Sequence, residues 1–247
     1  MPDNVPALDE VINQGCWTPV QRAQQAEFYG KDDSHWQAVK LTQDASRFAV
    51  YCQGEFVGNV EWQLIGDHNL QNGMMAIAAA HFAGVEISQA IAGLNQFKTP
   101  KRRMELKGLV ENAKVYDDFA HHPTAITSTL CGLRAAVKHE RIIAVLEPRS
   151  NTMRMGVHQQ ALAKSLIAAD DVFLYQPAGL DWNLQPVADE LTAQNKNVTI
   201  HSDIDLLVAD ITALTKTVEA TECEQSHILV MSNGGFAGIH DKLLNLN

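Results

Sequence analysis

Four polar stretches and one glycine-rich turn hold most of the side chains with chemistry in them. The first, Gly66-Asp67-His68-Asn69-Leu70-Gln71-Asn72, leads into an Ala-rich segment. Asn69 and Asn72 are three apart and share a helix face, and paired amides suit the donor–acceptor edge of a base such as adenine. A helix N-cap followed by solvated polar groups would use the same residues. Lys101-Arg102-Arg103 offers guanidinium forks that grip phosphate oxygens bidentately, or else a solvated linker. In Asp117-Asp118-Phe119-Ala120-His121-His122-Pro123, two acids and two imidazoles precede a proline at the first turn of a helix. An Asp there can accept both hydroxyls of a ribose, and a His can meet a phosphate or a carboxylate; a capped turn is the plainer alternative. Adjacent histidines without a third ligand at a recognisable spacing argue against a metal.

Glu147-Pro148-Arg149-Ser150-Asn151-Thr152-Met153-Arg154-Met155-Gly156 brings two arginines, two hydroxyls and an amide, enough for an anion-binding rim or a polar connector. Ser232-Asn233-Gly234-Gly235-Phe236-Ala237-Gly238 lets the backbone approach an anion closely, although a tight strand-to-helix turn needs the same glycines.

The elements that must position these stretches follow from periodicity. Residues 1–35 show no clean period. Within 37–64, Phe48, Val50 and Cys52 share one face and Phe56, Val60, Trp62 and Leu64 another, around a Gln53-Gly54-Glu55 turn, which predicts a small antiparallel meander. A helix after Gly66 carries Met75, Ala78, Ala79 and Phe82 as its apolar stripe and stops at Gly84; a second, shorter one covers 88–97. A domain boundary falls in 98–103. Beyond it, strands at 114–119, 141–146, 172–175, 198–200 and 227–231 alternate with helices at 123–137, 157–168, 187–194, 204–216 and 239–246. The fold class is therefore α/β, with a Rossmann-like doubly wound domain over 98–247 whose loops at the strand carboxyl ends bear the site.

At 247 residues, 46% hydrophobic and 19% charged, the chain is long and apolar enough for one or two cored domains. Its formal charge of −10 disfavours a phosphate-backbone partner, so no nucleic acid is expected. Cys16, Cys52, Cys131 and Cys223 stand far apart without a CxxC pair, and read as reduced thiols. The apolar stretch 74–85 contains His81 and falls well short of the roughly 20 residues that span a bilayer. The opening MPDNVPALDE lacks a basic or apolar leader segment. The expectation is a cytoplasmic protein with no membrane partner.

Taken together, GDHNLQN with its Ala-rich helix, KRRMELKG, DDFAHHPTAI and the final glycine-rich turn resemble the Mur ligase family, over a span from about Cys16 to the C-terminus. That family joins an amino acid or peptide to a UDP-muramoyl precursor of peptidoglycan, using ATP and Mg2+. LEPRSNTMRMG and MSNGGFAGIH are similar to its recycling branch, which joins the tripeptide L-alanyl-γ-D-glutamyl-meso-diaminopimelate to UDP-N-acetylmuramate; the alanine-adding branch tends to have a QPHRYTRT-like stretch instead. The resemblance implies that 1–97 is a remnant of the central ATP-binding domain and 98–247 the C-terminal ligase domain. The sequence has no GxxxxGK[ST] phosphate loop, and the family's Mg2+ ligands are expected outside this chain.

By matching motifs, the resemblance puts His68, Asn69 and Asn72 around adenine, Arg103 on the ATP phosphates and Asp118 on the ribose, so that one nucleotide bridges both domains. It puts His121 and His122 beside the phosphates or the acyl intermediate as catalytic residues. Arg149, Asn151, Thr152 and Arg154 would face the tripeptide carboxylates, and Ser232, Asn233 and Phe236 would close over the peptide. Expected partners are UDP-N-acetylmuramate, the tripeptide and a missing N-terminal half. Two alternatives stand beside this reading: a non-catalytic nucleotide- or peptide-binding module, and one half of a split ligase. The chain alone is expected to be inactive.

Overall fold

The computed structural model describes residues 5–15, 20–26, 35–219 and 225–244. They divide into two compact units, Met1–Thr99 and Pro100–Asn247.

In the first unit, helix α1 (Pro6–Asn13) precedes a four-stranded sheet of β1 (Ala23–Ala26), β2 (Trp36–Lys40), β3 (Arg47–Cys52) and β4 (Glu55–Glu61), in that order. The last three strands form the antiparallel meander read from their alternation, while β1 pairs with β2 in parallel. Neither α1 nor β1 was read from the sequence; α1 buries no residue and β1 is four residues long. The meander's expected faces need a correction. Val50 pairs with Gly58 and Tyr51 with Phe56, so a bulge leaves Val57 as an extra residue on β4. An extra residue inverts the in–out alternation beyond it. Val57 accordingly packs on the core, while Phe56 is exposed and meets Tyr51 edge-on.

Helices α2 (Asp67–Phe82) and α3 (Ile87–Asn95) cover this sheet. The expected stripe of α2 is also corrected. Its buried face is Leu70, Gly73, Met74, Ile77 and Ala78, whereas Ala79 is exposed and Phe82 is 71% exposed. An all-round apolar helix has no unique stripe in sequence. Phe48, Val60 and Ile91 decide which side is inward by packing on Leu70, Met74 and Ile77.

The second unit holds a six-stranded sheet of β5 (Glu105–Val110), β6 (Ala113–Asp118), β7 (Ile142–Leu146), β8 (Asp171–Tyr175), β9 (Asn197–His201) and β10 (Ser226–Met231). Its helices are α4 (Pro123–Val137), α5 (Asn151–Arg154), α6 (Gln159–Leu166), α7 (Gln185–Thr192), α8 (Ile204–Glu219) and α9 (Ile239–Leu243). The strand order is β5-β6-β10-β7-β8-β9, parallel throughout except for β5. Strands β7 and β10 are buried along their whole length, which is why each reads as an unbroken apolar run. Strand β5 escaped the sequence reading. Its Leu106 and Leu109 face solvent and a register shift at Leu106–Gly108 breaks the alternation. Insertion of β10 between β6 and β7 creates a switch point, where ligands enter at the strand carboxyl ends.

Candidate functional site

Three loops meet at that switch point, after β6, β7 and β10, and Arg102 fastens two of them together. Its Nη2 donates to the carbonyls of Ser232 (2.6 Å) and Gly234 (2.9 Å), and its Nε to Asp117 Oδ2 (3.2 Å). The guanidinium also lies 5.2 Å from the centre of the Phe119 ring. Arg103 is left outside. It is exposed, rests 6.0 Å from the same ring, and makes no hydrogen bond or ion pair among the described residues.

Asp118 is committed internally. Its Oδ2 accepts from the Met104 amide and its Oδ1 from the Ala120 amide, both at 2.8 Å, and it is 3% exposed. Burial pushes its carboxyl above the ordinary aspartate range, against the pull of those two amides and the Arg103 charge. The sequence reading expects Asp118 at a ribose; in the fold this carboxylate organises the loops on either side of it.

The two histidines differ in what they present. His121 Nδ1 lies 2.7 Å from the Phe119 carbonyl, so it carries the hydrogen and leaves Nε2 as a lone pair. His122 Nδ1 accepts from the Thr124 amide at the start of α4, so its Nε2 carries the hydrogen. His122 is exposed and His121 half-buried.

After β7, buried Glu147 accepts from the Ser232 hydroxyl at 2.5 Å, and the same hydroxyl accepts from the Gly234 amide at 2.9 Å. Arg149 is exposed and runs across Gly234: a Cβ there would stand 2.6 Å from its Cδ and closer still to its guanidinium. The sequence reading expects Ser232 and Phe236 to close over the peptide. Each is 1% exposed, Ser232 shaping the turn and Phe236 packing in the core beside Tyr175. Asn233 keeps a buried Oδ1 with no hydrogen-bond partner among the described residues. Asn151 and Thr152 are exposed at the start of α5, and Arg154 Nη2 donates to the Gly179 carbonyl at 2.9 Å. Sequence reasoning passed over the loop after β8, whose Trp182 Nε1 donates to the Met153 carbonyl at 2.7 Å. A tryptophan among polar residues past a strand end was the available signal.

In the first unit, Asn69 spends an amide hydrogen on the Ile65 carbonyl at 2.8 Å, while Asn72 is exposed and His68 half-buried. The structure thus holds Asn69 in place and leaves Asn72 to solvent. Among the described residues no group of three or more His, Cys, Asp or Glu is placed to hold a metal ion, and no helix is long and apolar enough to cross a membrane.

A doubly wound sheet with exposed basic side chains at its switch point defines an α/β class whose ligands enter at the strand carboxyl ends. Within that class the chain belongs to the Mur ligase family: the profile of the Mur ligase, glutamate ligase domain, matches residues 102–234. The chain is 49% identical over 245 residues to the UDP-N-acetylmuramate–L-alanyl-γ-D-glutamyl-meso-2,6-diaminoheptandioate ligase of Escherichia coli (strain K12), covering 99% of itself and 50% of that protein. It is 46% identical to the Haemophilus influenzae protein of the same name, over 96% of itself and 49% of that relative. A crystal structure of a murein peptide ligase from Psychrobacter arcticus 273-4 matches with a TM-score of 0.68 at 39% identity, over 99% of this chain and 50% of the other. The chain thus spans about half the length of the curated relatives it matches.

Proposed function

We propose that this chain forms part of a cytoplasmic, ATP-dependent ligase that joins L-alanyl-γ-D-glutamyl-meso-diaminopimelate to UDP-N-acetylmuramate in peptidoglycan recycling. The observation that carries this reading is a pair of exposed guanidinium groups at the switch point. Arg103 stands beside the loop after β6 and Arg149 against the turn after β10, neither guanidinium with a hydrogen bond or ion pair among the described residues. Two unengaged forks call for anionic ligands, and this reaction supplies phosphates and peptide carboxylates.

In the reaction, the γ-phosphoryl of ATP passes to the muramate carboxylate, giving an acyl phosphate and ADP. The peptide amine then attacks the carbonyl carbon, inorganic phosphate leaves, and the amine loses a proton as the amide forms. Arg103 would neutralise charge on the phosphates. His121, with Nε2 as its free lone pair, suits removal of the amine proton, and His122 Nε2–H suits donation to a phosphate oxygen. Arg149, with Asn151, Thr152 and Arg154 on the same loop, would take the peptide carboxylates. Asn233 Oδ1 would accept from the peptide. His68, Asn69 and Asn72 would take the adenine, with Asn72 the freer amide. Among the described residues no group of three or more His, Cys, Asp or Glu is placed to hold Mg2+, whose ligands would lie outside this chain.

Because the sequence lacks GxxxxGK[ST], these 247 residues by themselves should bind the tripeptide without ligating it. Calorimetric titration with the tripeptide, and phosphate release with UDP-N-acetylmuramate, tripeptide and Mg-ATP, test the two halves of that statement. Sustained phosphate release would overturn the second half, and absence of tripeptide binding the first. Turnover restored by adding a separate phosphate-loop chain would favour a split ligase.

A further inference from the structure

A cleft of about 540 Å3 opens where β8 and β9 end, lined by Gln176, Asp181, Trp182, Asn183 and Ser202 among others. We propose that this cleft is the subsite for the far, zwitterionic end of the peptide, with the Asp181 carboxylate receiving the ammonium of the diaminopimelate side chain. The proposal deepens the peptide reading above and rests on it.

The walls are built before any ligand arrives. Gln176 spends both ends of its amide across the loop, Nε2 donating to the Trp182 carbonyl (3.0 Å) and Oε1 accepting from the Leu184 amide (3.1 Å). Trp182 to Met153 and Arg154 to Gly179 then tie this loop to the one after β7. A pre-formed cavity loses little conformational entropy on binding.

The chemistry left over is acidic, hydroxylic and apolar. Asp181 is exposed and makes no hydrogen bond or ion pair among the described residues. Arg154, on the neighbouring loop and outside the lining, uses one nitrogen on the Gly179 carbonyl. The Ser202 hydroxyl is exposed, and Trp182 offers an indole wall to methylene groups. An acid, a hydroxyl and an apolar wall match a group that carries an ammonium, a carboxylate and a short alkyl stem.

Distance points the same way. Adjacent strands lie about 4.8 Å apart, so β8 stands about 10 Å and β9 about 14 Å from β10, the centre of the switch point. A single amino acid with its amine at the switch point does not reach that far. A dipeptide spans roughly 7 Å and a tripeptide roughly 10 Å when extended, and the diaminopimelate side chain adds to that. The cleft therefore measures peptide length as well as charge.

The test is calorimetry on the chain itself with two probes, the tripeptide L-alanyl-γ-D-glutamyl-meso-diaminopimelate and the dipeptide L-alanyl-γ-D-glutamate. The tripeptide should bind at least about tenfold tighter, and Asp181→Asn, with the thermal midpoint staying put, or Trp182→Phe, which also gives up the Met153 hydrogen bond, should bring it to within about threefold of the dipeptide. Equal affinity for both probes in the unaltered chain overturns the subsite and leaves the peptide reading intact. Binding of neither overturns both. A tripeptide preference that survives both substitutions shows that the distal end is read elsewhere, and the assignment of this cleft falls.

Discussion

Arg102 and Arg103 are neighbours with opposite fates, and the difference is testable side chain by side chain. Arg102→Ala strips Asp117, whose side chain is 9% exposed, of its guanidinium partner, leaving only His240 at 3.7 Å among the described residues, and frees the Ser232 and Gly234 carbonyls. Breaking a largely buried pair of this kind costs about 3 kcal/mol, or roughly 6 to 12 °C in the midpoint of the second unit. Arg103→Ala removes an exposed group, so the midpoint should move by no more than about 2 °C while affinity for ATP falls at least about tenfold. Differential scanning calorimetry with and without nucleotide separates the two; a large thermal loss in Arg103→Ala would mean its fork is structural. The sequence showed three basic residues in a row. Which one turns inward depends on a turn and an acid that it meets only in the fold.

His227 carries a second residue-scale prediction. Its Nε2 meets Glu140 at 2.6 Å and its Nδ1 the Tyr116 hydroxyl at 3.2 Å, and burial pushes the imidazole below its ordinary value while Glu140 pulls it back. The same burial, with the Glu140 charge, lifts Tyr116 to about 12. A lowered histidine makes the unfolded chain the better proton binder. Its stabilising contribution is complete above the unfolded value of about 6.5 and is lost as the pH falls towards the folded one. Urea unfolding at pH 7, 6 and 5 should show stability falling, and His227→Gln should flatten part of that slope. His240, lowered chiefly by burial, retains the remainder. An unchanged slope in His227→Gln would rule out this assignment.

At the scale of elements, two glycines predict opposite outcomes for the same substitution. In α2, a Cβ on Gly73 would stand 2.6 Å from Trp62 Cη2 and 3.3 Å from Phe48 Cζ, both rings held in the core. Alanine usually gains about 1 kcal/mol over glycine inside a helix, but forcing two packed aromatics apart costs about 1 to 3. Gly73→Ala should therefore lower the stability of the first unit by about 1 kcal/mol in denaturant unfolding; a gain would mean that the rings yield. In the turn after β10, a Cβ on Gly234 meets only the far end of the exposed Arg149 side chain, which can swing away. Gly234→Ala should leave the thermal midpoint within about 2 °C and weaken tripeptide binding at least about fivefold by calorimetry. Unchanged affinity would remove Arg149 from the peptide site. Both glycines stood in plain view in the sequence, but the side chain crossing each one comes from a different element.

Across the whole molecule, the two units differ in how deeply their backbones are covered. Strands β7 and β10 are buried from end to end, and each has a strand neighbour on both sides. In the first unit β4 is exposed at Glu55, Phe56, Asn59 and Glu61. Backbone opening is rarer where coverage is deeper. Hydrogen exchange followed by mass spectrometry should find the slowest amides in 142–146 and 226–231 and faster ones in 47–61; the reverse order would contradict this account.

The sequence by itself determined the kind and order of the elements from β6 to α9 except the short α5, with their boundaries to within a few residues, because buried parallel strands must be apolar runs and the longer helices between them must be periodic. It also marked which loops gather polar groups at the carboxyl edge, since such groups are costly there unless used. Only the tertiary structure decided which of those groups remain available. Arg102 is drawn inward by carbonyls 130 and 132 residues away, Ser232 by an acid 85 residues away, and Asp118 by the amide of Met104. A hydrogen bond is made to whatever the fold brings within about 3 Å, and sequence spacing holds no record of partners that distant.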